Sequence, residues 1–228
     1  MRDYFFPPLL LPLFIFLILL PFFAILFVFG ASSAISHVLG LSVEDGIVIL
    51  FLVIIGSFIN IPVFEKEGQM VERRYSFFGL IYTVRRKSRI VVAVNLGGCI
   101  IPVLISLKIL LSVTGDAFVL AFILTSIVTF LSAKPVPGVG IAVPMLIPPL
   151  ASALFSYIAV SLFSAPAMEI PKIAFTAGVL GALFGADILH LKDLEKIGAG
   201  VVSIGGAGTF DGIFLTGIFS VFIAQWFV

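Results

Sequence analysis

Runs of about 20 apolar residues recur along this chain, and that is the length an α-helix needs to cross the hydrocarbon of a bilayer. Seven such stretches stand out, roughly 6–29, 46–63, 90–112, 116–133, 140–163, 172–190 and 198–228. With 61% hydrophobic and 11% charged residues in 228, the chain has too little polar surface for an ordinary soluble domain. The sequence predicts an all-α integral membrane protein of about seven transmembrane helices, a single polytopic membrane domain over 1–228. The first stretch follows one basic residue, Arg2, and exceeds the apolar core of a signal peptide, so it reads as a retained span.

Lysine and arginine give the direction. With the N-terminus inside, Arg2, Lys66, Arg73, Arg74, Arg85, Arg86, Lys87, Arg89, Lys134, Lys192 and Lys196 fall on the inner face, eleven of the thirteen basic residues. Lys108 and Lys172 remain outside, which is the bias that insertion favours. This predicts a multi-pass protein of the cell membrane with a cytoplasmic N-terminus and an extracytoplasmic C-terminus. Membrane lipid is the expected partner. A net charge of +1 excludes the basic surface that nucleic acid requires. One cysteine, Cys99, rules out an internal disulfide and reads as a small apolar filler.

Between the second and third spans lies the one sizeable polar insert, residues 64–89. Val71, Arg73 and Tyr75 alternate, as do Leu80, Tyr82 and Val84, with Phe78-Gly79 between them, which predicts a small cytoplasmic β-hairpin. Such a hairpin docks an anionic lipid head group, presents a substrate strand, or serves only to anchor the topology. His37, in the outer segment 31–41, has no second histidine nearby and is not a metal ligand on this pattern.

Proline and glycine punctuate the later spans. KPVPGVGIAVPMLIPP carries Pro144, Pro148 and Pro149, which an uninterrupted helix does not tolerate together, so the fifth span is expected to be broken. Irregular backbone at membrane depth persists where protein buries it or water reaches it, so these prolines are expected to border a cavity or merely to fit neighbouring helices. In the third span Asn95 precedes Leu96-Gly97-Gly98, and a buried amide there joins helices through hydrogen bonds.

Two carboxylates lie well inside apolar stretches, Asp187 and Asp211. An ionised carboxylate in hydrocarbon costs roughly 2.5–3.5 kcal/mol on insertion scales, so such residues line cavities, share protons or move them. Asp187 ends a stretch in which Ala177, Gly181 and Gly185 recur every four residues, as do Gly178, Ala182 and Ala186, so other backbones come close to it. His190, three residues on, lies on nearly the same helical face and is expected to hydrogen-bond it. Asp211 follows a glycine-rich lead-in, Gly198–Gly208, expected to be irregular, and opens the last helix. Two consecutive antiparallel spans joined by a short inner loop bring these aspartates to similar depth.

LFGADIL around Asp187 resembles the first catalytic-aspartate motif of presenilins and signal peptide peptidases, and GAGTFDGIFLTGIF around Asp211 is similar to their GxGD motif. The resemblance covers about fifty residues, Gly178 to roughly Phe222. Ala186 stands where that family has tyrosine, Thr209-Phe210 separate Asp211 from the glycines, and no PAL motif follows. What the likeness implies is an intramembrane aspartyl protease with Asp187 and Asp211 as its dyad, Gly205, Gly206 and Gly208 shaping a cleft for transmembrane helical peptides, and Pro144, Pro148, Pro149 and Asn95 in its wall. Along its whole length, the N-G-G span, the proline-rich span and the GGAGTFDGIFLTG close resemble an uncharacterised prokaryotic multi-pass membrane family, a domain of unknown function, which implies no activity.

The same aspartates also fit a proton- or cation-coupled transporter or channel, with Asn95 beside the broken fifth span. A third reading is a non-catalytic scaffold or lipid-binding protein whose aspartates pair with Lys134 or cap helices. HExxH is absent, and neither a metal nor another cofactor is expected.

Overall fold

In the computed structural model, residues 10–77, 80–136, 140–193, 200–206 and 212–228 are described, with 67–77 and 80–88 as backbone only. Two compact units divide the chain, Met1–Leu50 and Phe51–Val228. The first holds α1 (Leu10–Leu39) and the start of α2 (Val43–Gly56). α1 runs for 30 residues, about 45 Å of helix, and residues 11–25 are exposed on every side, as suits a helix whose solvent is lipid. Its C-terminal third switches to small buried residues, Ala31, Ser32, Ala34 and Ser36, against which Gly46 of α2 packs too closely for a side chain.

The second unit begins with a long antiparallel hairpin, β1 (Asn60–Phe77) and β2 (Leu80–Asn95), in register from Asn60↔Asn95 to Phe77↔Leu80. A π-helical turn, Leu96–Ile100, leads into α3 (Ile101–Leu110), and α4 (Gly115–Ser132) follows. A short antiparallel pair, β3 (Lys134–Val136) and β4 (Gly140–Ala142), precedes α5 (Ile147–Leu162). Next come α6 (Ile170–Ala182), a second π-helical turn (Leu183–Ile188), β5 (Gly200–Ile204) and α7 (Gly212–Ala224). β5 joins β2 in parallel, Ile90↔Gly200 through Val94↔Ile204, giving the order β1-β2-β5.

α6 is the central helix, with Ile173 through Val179 all buried. It packs on α3, α4, α5 and α7. Small residues make this possible: a core of Ala117, Ala121, Ala153, Ala159, Ala174 and Ala177 lets the helices close on one another. One close crossing is that of α4 with the C-terminal end of α6 and the π-helical turn that continues it. A methyl built on Gly185 would stand 2.5 Å from the Ser126 carbonyl oxygen and 2.9 Å from Thr129 Cβ, so only glycine admits α4 there. Ser152 adds a cross-helix bond, its Oγ donating to the Ala174 carbonyl at 2.7 Å.

Among the described residues three helical stretches are long and apolar enough to cross a membrane, Leu11–Leu39, Gly115–Ser132 and Ala167–Asp193, and three shorter apolar ones accompany them. The expected fold is corrected in its strands. The hairpin is not confined to 64–89 but takes the end of the second expected span and residues 90–95 of the third. The seventh expected span begins as β5. IVVAV and GVVSI are short β-branched runs, which apolar periodicity alone does not distinguish from helix. The break in the fifth span is present, because β4 and a turn occupy 140–146 before the helix starts at Ile147. Pro148 and Pro149 are buried in the first turn of α5, where a missing N–H breaks no helical bond, and so they start a helix rather than kink one.

Replacing Gly185 with leucine is expected to lower stability by about 2 kcal/mol or more, since the α4 backbone must move to admit it. Gly115→Ala, at a glycine with open space around it, is expected to be near neutral. Thermal unfolding of the two variants in the same detergent checks the contrast, and equal Tm values would contradict the close crossing.

Candidate functional site

At one end of the α3–α7 bundle the chain turns from helix to sheet, and the buried Asn95 and half-buried Asp187 lie at that junction. β2 ends at Asn95, which is 2% exposed and caps the first π-helical turn by accepting the Gly98 N–H on Oδ1 at 2.7 Å. Asn95 Nδ2 donates to the Ser57 carbonyl at 2.7 Å and to Asn60 Oδ1 at 3.0 Å. Asn60 Oδ1 also accepts the Ser203 hydroxyl, 2.5 Å away. One buried amide therefore ties the start of β1, the end of β2 and, through Asn60, the end of β5.

Asp187 lies on the second π-helical turn, at the end of the central helix. A π turn inserts one residue into the helical repeat, which re-aims the side chains that follow it, and such turns are frequent at functional sites. Half-buried, Asp187 accepts the Gly205 N–H on Oδ2 at 3.0 Å. Gly205 has φ +76°, and a methyl there would stand 2.6 Å from Cys99 Cβ, so the turn after β5 is built for glycine. Gly206 follows against Asn95, where a methyl would meet Nδ2 at 3.0 Å. Ile90, Val92, Cys99 and Ile204 form the apolar floor, with Ile141 of β4 and Leu183 of the π turn packed on it.

Of the residues singled out from the sequence, Asp187, Gly205, Gly206 and Asn95 are brought together. Asp211 and Gly208 lie outside the described residues. Pro148 and Pro149 are buried at the start of α5, and Pro144 is exposed before it. One expectation is corrected. His190 turns its Nδ1 to the Gly185 carbonyl at 3.1 Å and sets its ring tilted against Phe130, centroids 4.8 Å apart, so it secures the π-helical turn rather than Asp187. Asn95 joins the end of α2 to the π turn that leads into α3, and ties in strand ends as well. Sequence reasoning missed Asn60 and Ser203; the one signal was a polar residue set at the end of an apolar stretch in each case. Among the described residues no group of three His, Cys, Asp or Glu side chains gathers as a metal site would require.

Fold and site together define a helical membrane protein whose central span ends in a carboxylate held by a glycine turn of a three-stranded sheet. The chain belongs to the family described as a protein of unknown function (DUF1614), which matches residues 54–223. That match coincides closely with the second compact unit and contains the whole junction. No curated protein matches, presenilins and signal peptide peptidases included, and no solved structure does.

Asp187→Ala removes the acceptor of a Gly205 N–H that has no other described partner, with an expected cost of about 1–3 kcal/mol. Asp187→Asn keeps an oxygen in place and should lose much less. Chemical denaturation of both variants measures the difference, and equal losses would argue that the bond contributes nothing.

Proposed function

We propose that this chain is an intramembrane aspartyl protease whose dyad is Asp187 and Asp211. The observation that carries the reading is the hydrogen bond from Gly205 to Asp187. Gly205 opens the GGAGTFD segment, and Asp211 follows it by six residues, which limits the Cα separation of Gly205 and Asp211 to about 22 Å. A tether of that length lets the two carboxyl groups meet. Two carboxyl groups a few ångström apart share one proton because both cannot ionise; one then activates water while the other polarises the scissile carbonyl.

The sheet supports a peptide substrate. β5 is an edge strand among the described strands, and it runs directly into the turn that holds Asp187. An extended peptide adding to that edge gains backbone hydrogen bonds and is led to the carboxylate. Asn95, Gly206 and Gly208 shape the near wall in this reading, and the segment Pro144–Pro149 the far one. α2 and the three shorter apolar helices cross the membrane as well in this reading, so that the chain passes it seven times with its N-terminus in the cytoplasm. Transport is the alternative, because discontinuous helices beside a buried carboxylate also build ion sites, and two π-helical turns adjoin this one.

Purified protein in liposomes is expected to cleave single-span helical peptides with a bell-shaped pH profile belonging to the pair. Asp187→Asn and Asp211→Asn are each expected to abolish cleavage with the fold retained, since an amide is neither base nor proton carrier. Cleavage that survives either change removes the protease reading. Aspartate-dependent proton or cation flux without cleavage would establish transport instead.

Orientation has its own test. A cysteine placed at Gly68 should react with impermeant reagent only from the cytoplasmic side, and one at Ala167 only from outside. The opposite pattern would invert the topology.

A further inference from the structure

The far half of the β1–β2 hairpin is a two-stranded ribbon among the described strands. β5 pairs with β2 only over Ile90–Val94, so from Met70↔Lys87 to Phe77↔Leu80 no third strand accompanies it among the described strands. A two-stranded ribbon is marginal in water without a surface to pack against. This stretch of β1, about 27 Å long, must find one.

Its register sorts the residues into unlike faces. One face carries the pairs Val71↔Arg86, Arg73↔Val84, Tyr75↔Tyr82 and Phe77↔Leu80; the other carries Met70↔Lys87, Glu72↔Arg85, Arg74↔Thr83 and Ser76↔Ile81. Along the first face, from the tip inward, the order is apolar, then tyrosine, then arginine with valine. A membrane interface has the same order: hydrocarbon, an aromatic belt, then phosphates. Between Met70 and Lys87 the described strand residues include five basic ones, Arg73, Arg74, Arg85, Arg86 and Lys87, against one acidic, Glu72. The register also shifts by one residue between Glu67 and Met70, and a bulge of that kind bends a ribbon.

We infer that the distal hairpin is a lipid-binding arm, with Phe77 and Leu80 at acyl depth, Tyr75 and Tyr82 at the interface, and the arginines on the phosphates of anionic lipids. The bulge turns the arm from its root, where Ile61, Val63 and Phe64 are exposed apolar residues, toward the head-group layer. Its surface is the inner leaflet, which follows from the distribution of basic residues along the chain. This assignment does not depend on the chemistry of Asp187.

The test places a single tryptophan at the tip, Phe77→Trp in a Trp226→Phe background, and reads quenching by brominated acyl chains in nanodiscs. Strong quenching is expected when the discs contain phosphatidylglycerol, weak quenching in phosphatidylcholine alone, and release at high ionic strength. Each arginine among Arg73, Arg74, Arg85 and Arg86 changed to glutamine should lower the ratio of inserted to free tip about fivefold. The salt series on protein with all its arginines gives the same information should the glutamine variants misfold. Absent quenching in both lipids overturns the arm, and equal quenching in both overturns its recognition of anionic head groups. Protection that appears only as protein concentration rises would mean that a second copy of the chain covers the tip.

Discussion

A backbone N–H or C=O in apolar surroundings has no water to turn to, so every stretch that leaves the helical ladder must find its partners in the protein. Residues 90–95 leave it, and over 90–94 β2 is paired on both sides, by β1 and by β5. The groups left at the strand ends are taken up one by one. Leu96 N–H goes to the Ile59 carbonyl, Gly98 N–H to Asn95 Oδ1, and Gly205 N–H to Asp187. Asp187 thus completes the hydrogen bonding of the junction as well as placing a carboxylate in it.

Helix packing serves the same junction from the other side. Gly181 of α6 and Gly185 of the π-helical turn let α4 lie against both, so the crossing holds the central helix into that turn. Phe130 of α4 and the Gly185 carbonyl hold His190 beyond that turn. Asp187 therefore sits between two anchored points of one element, with a rigid strand end opposite. Placement on anchored elements is what a carboxylate must have to act in a defined geometry.

Much of this was legible in the residues. Long apolar runs read as membrane spans, and among the described residues three helices have that length. Alternation around Phe78-Gly79 marked a hairpin, Pro144, Pro148 and Pro149 marked a break before α5, and the glycine-rich lead-in to Asp211 marked non-helical chain, part of which is β5. These signals are local: a proline lacks its own N–H, and alternation is written within a few residues. An isolated aspartate in an apolar stretch is equally plain, because its cost does not depend on its partners.

What the tertiary structure alone decided is who meets whom. IVVAV at 90–94 looks as much like the start of a span as like a strand until GVVSI at 200–204 pairs with it in parallel, more than a hundred residues on. Asn60 and Ser203 bond across 143 positions, and no pattern in either neighbourhood announces the other. The spacing of His190 predicts a bond to Asp187, but in the fold it lies against Phe130 with its Nδ1 at the Gly185 carbonyl. Sequence fixes the free energy of a residue in lipid or in a helix, because those depend on the residue itself. The choice among distant partners depends on which pairing leaves the fewest buried polar groups unmet, and only the folded chain as a whole determines that.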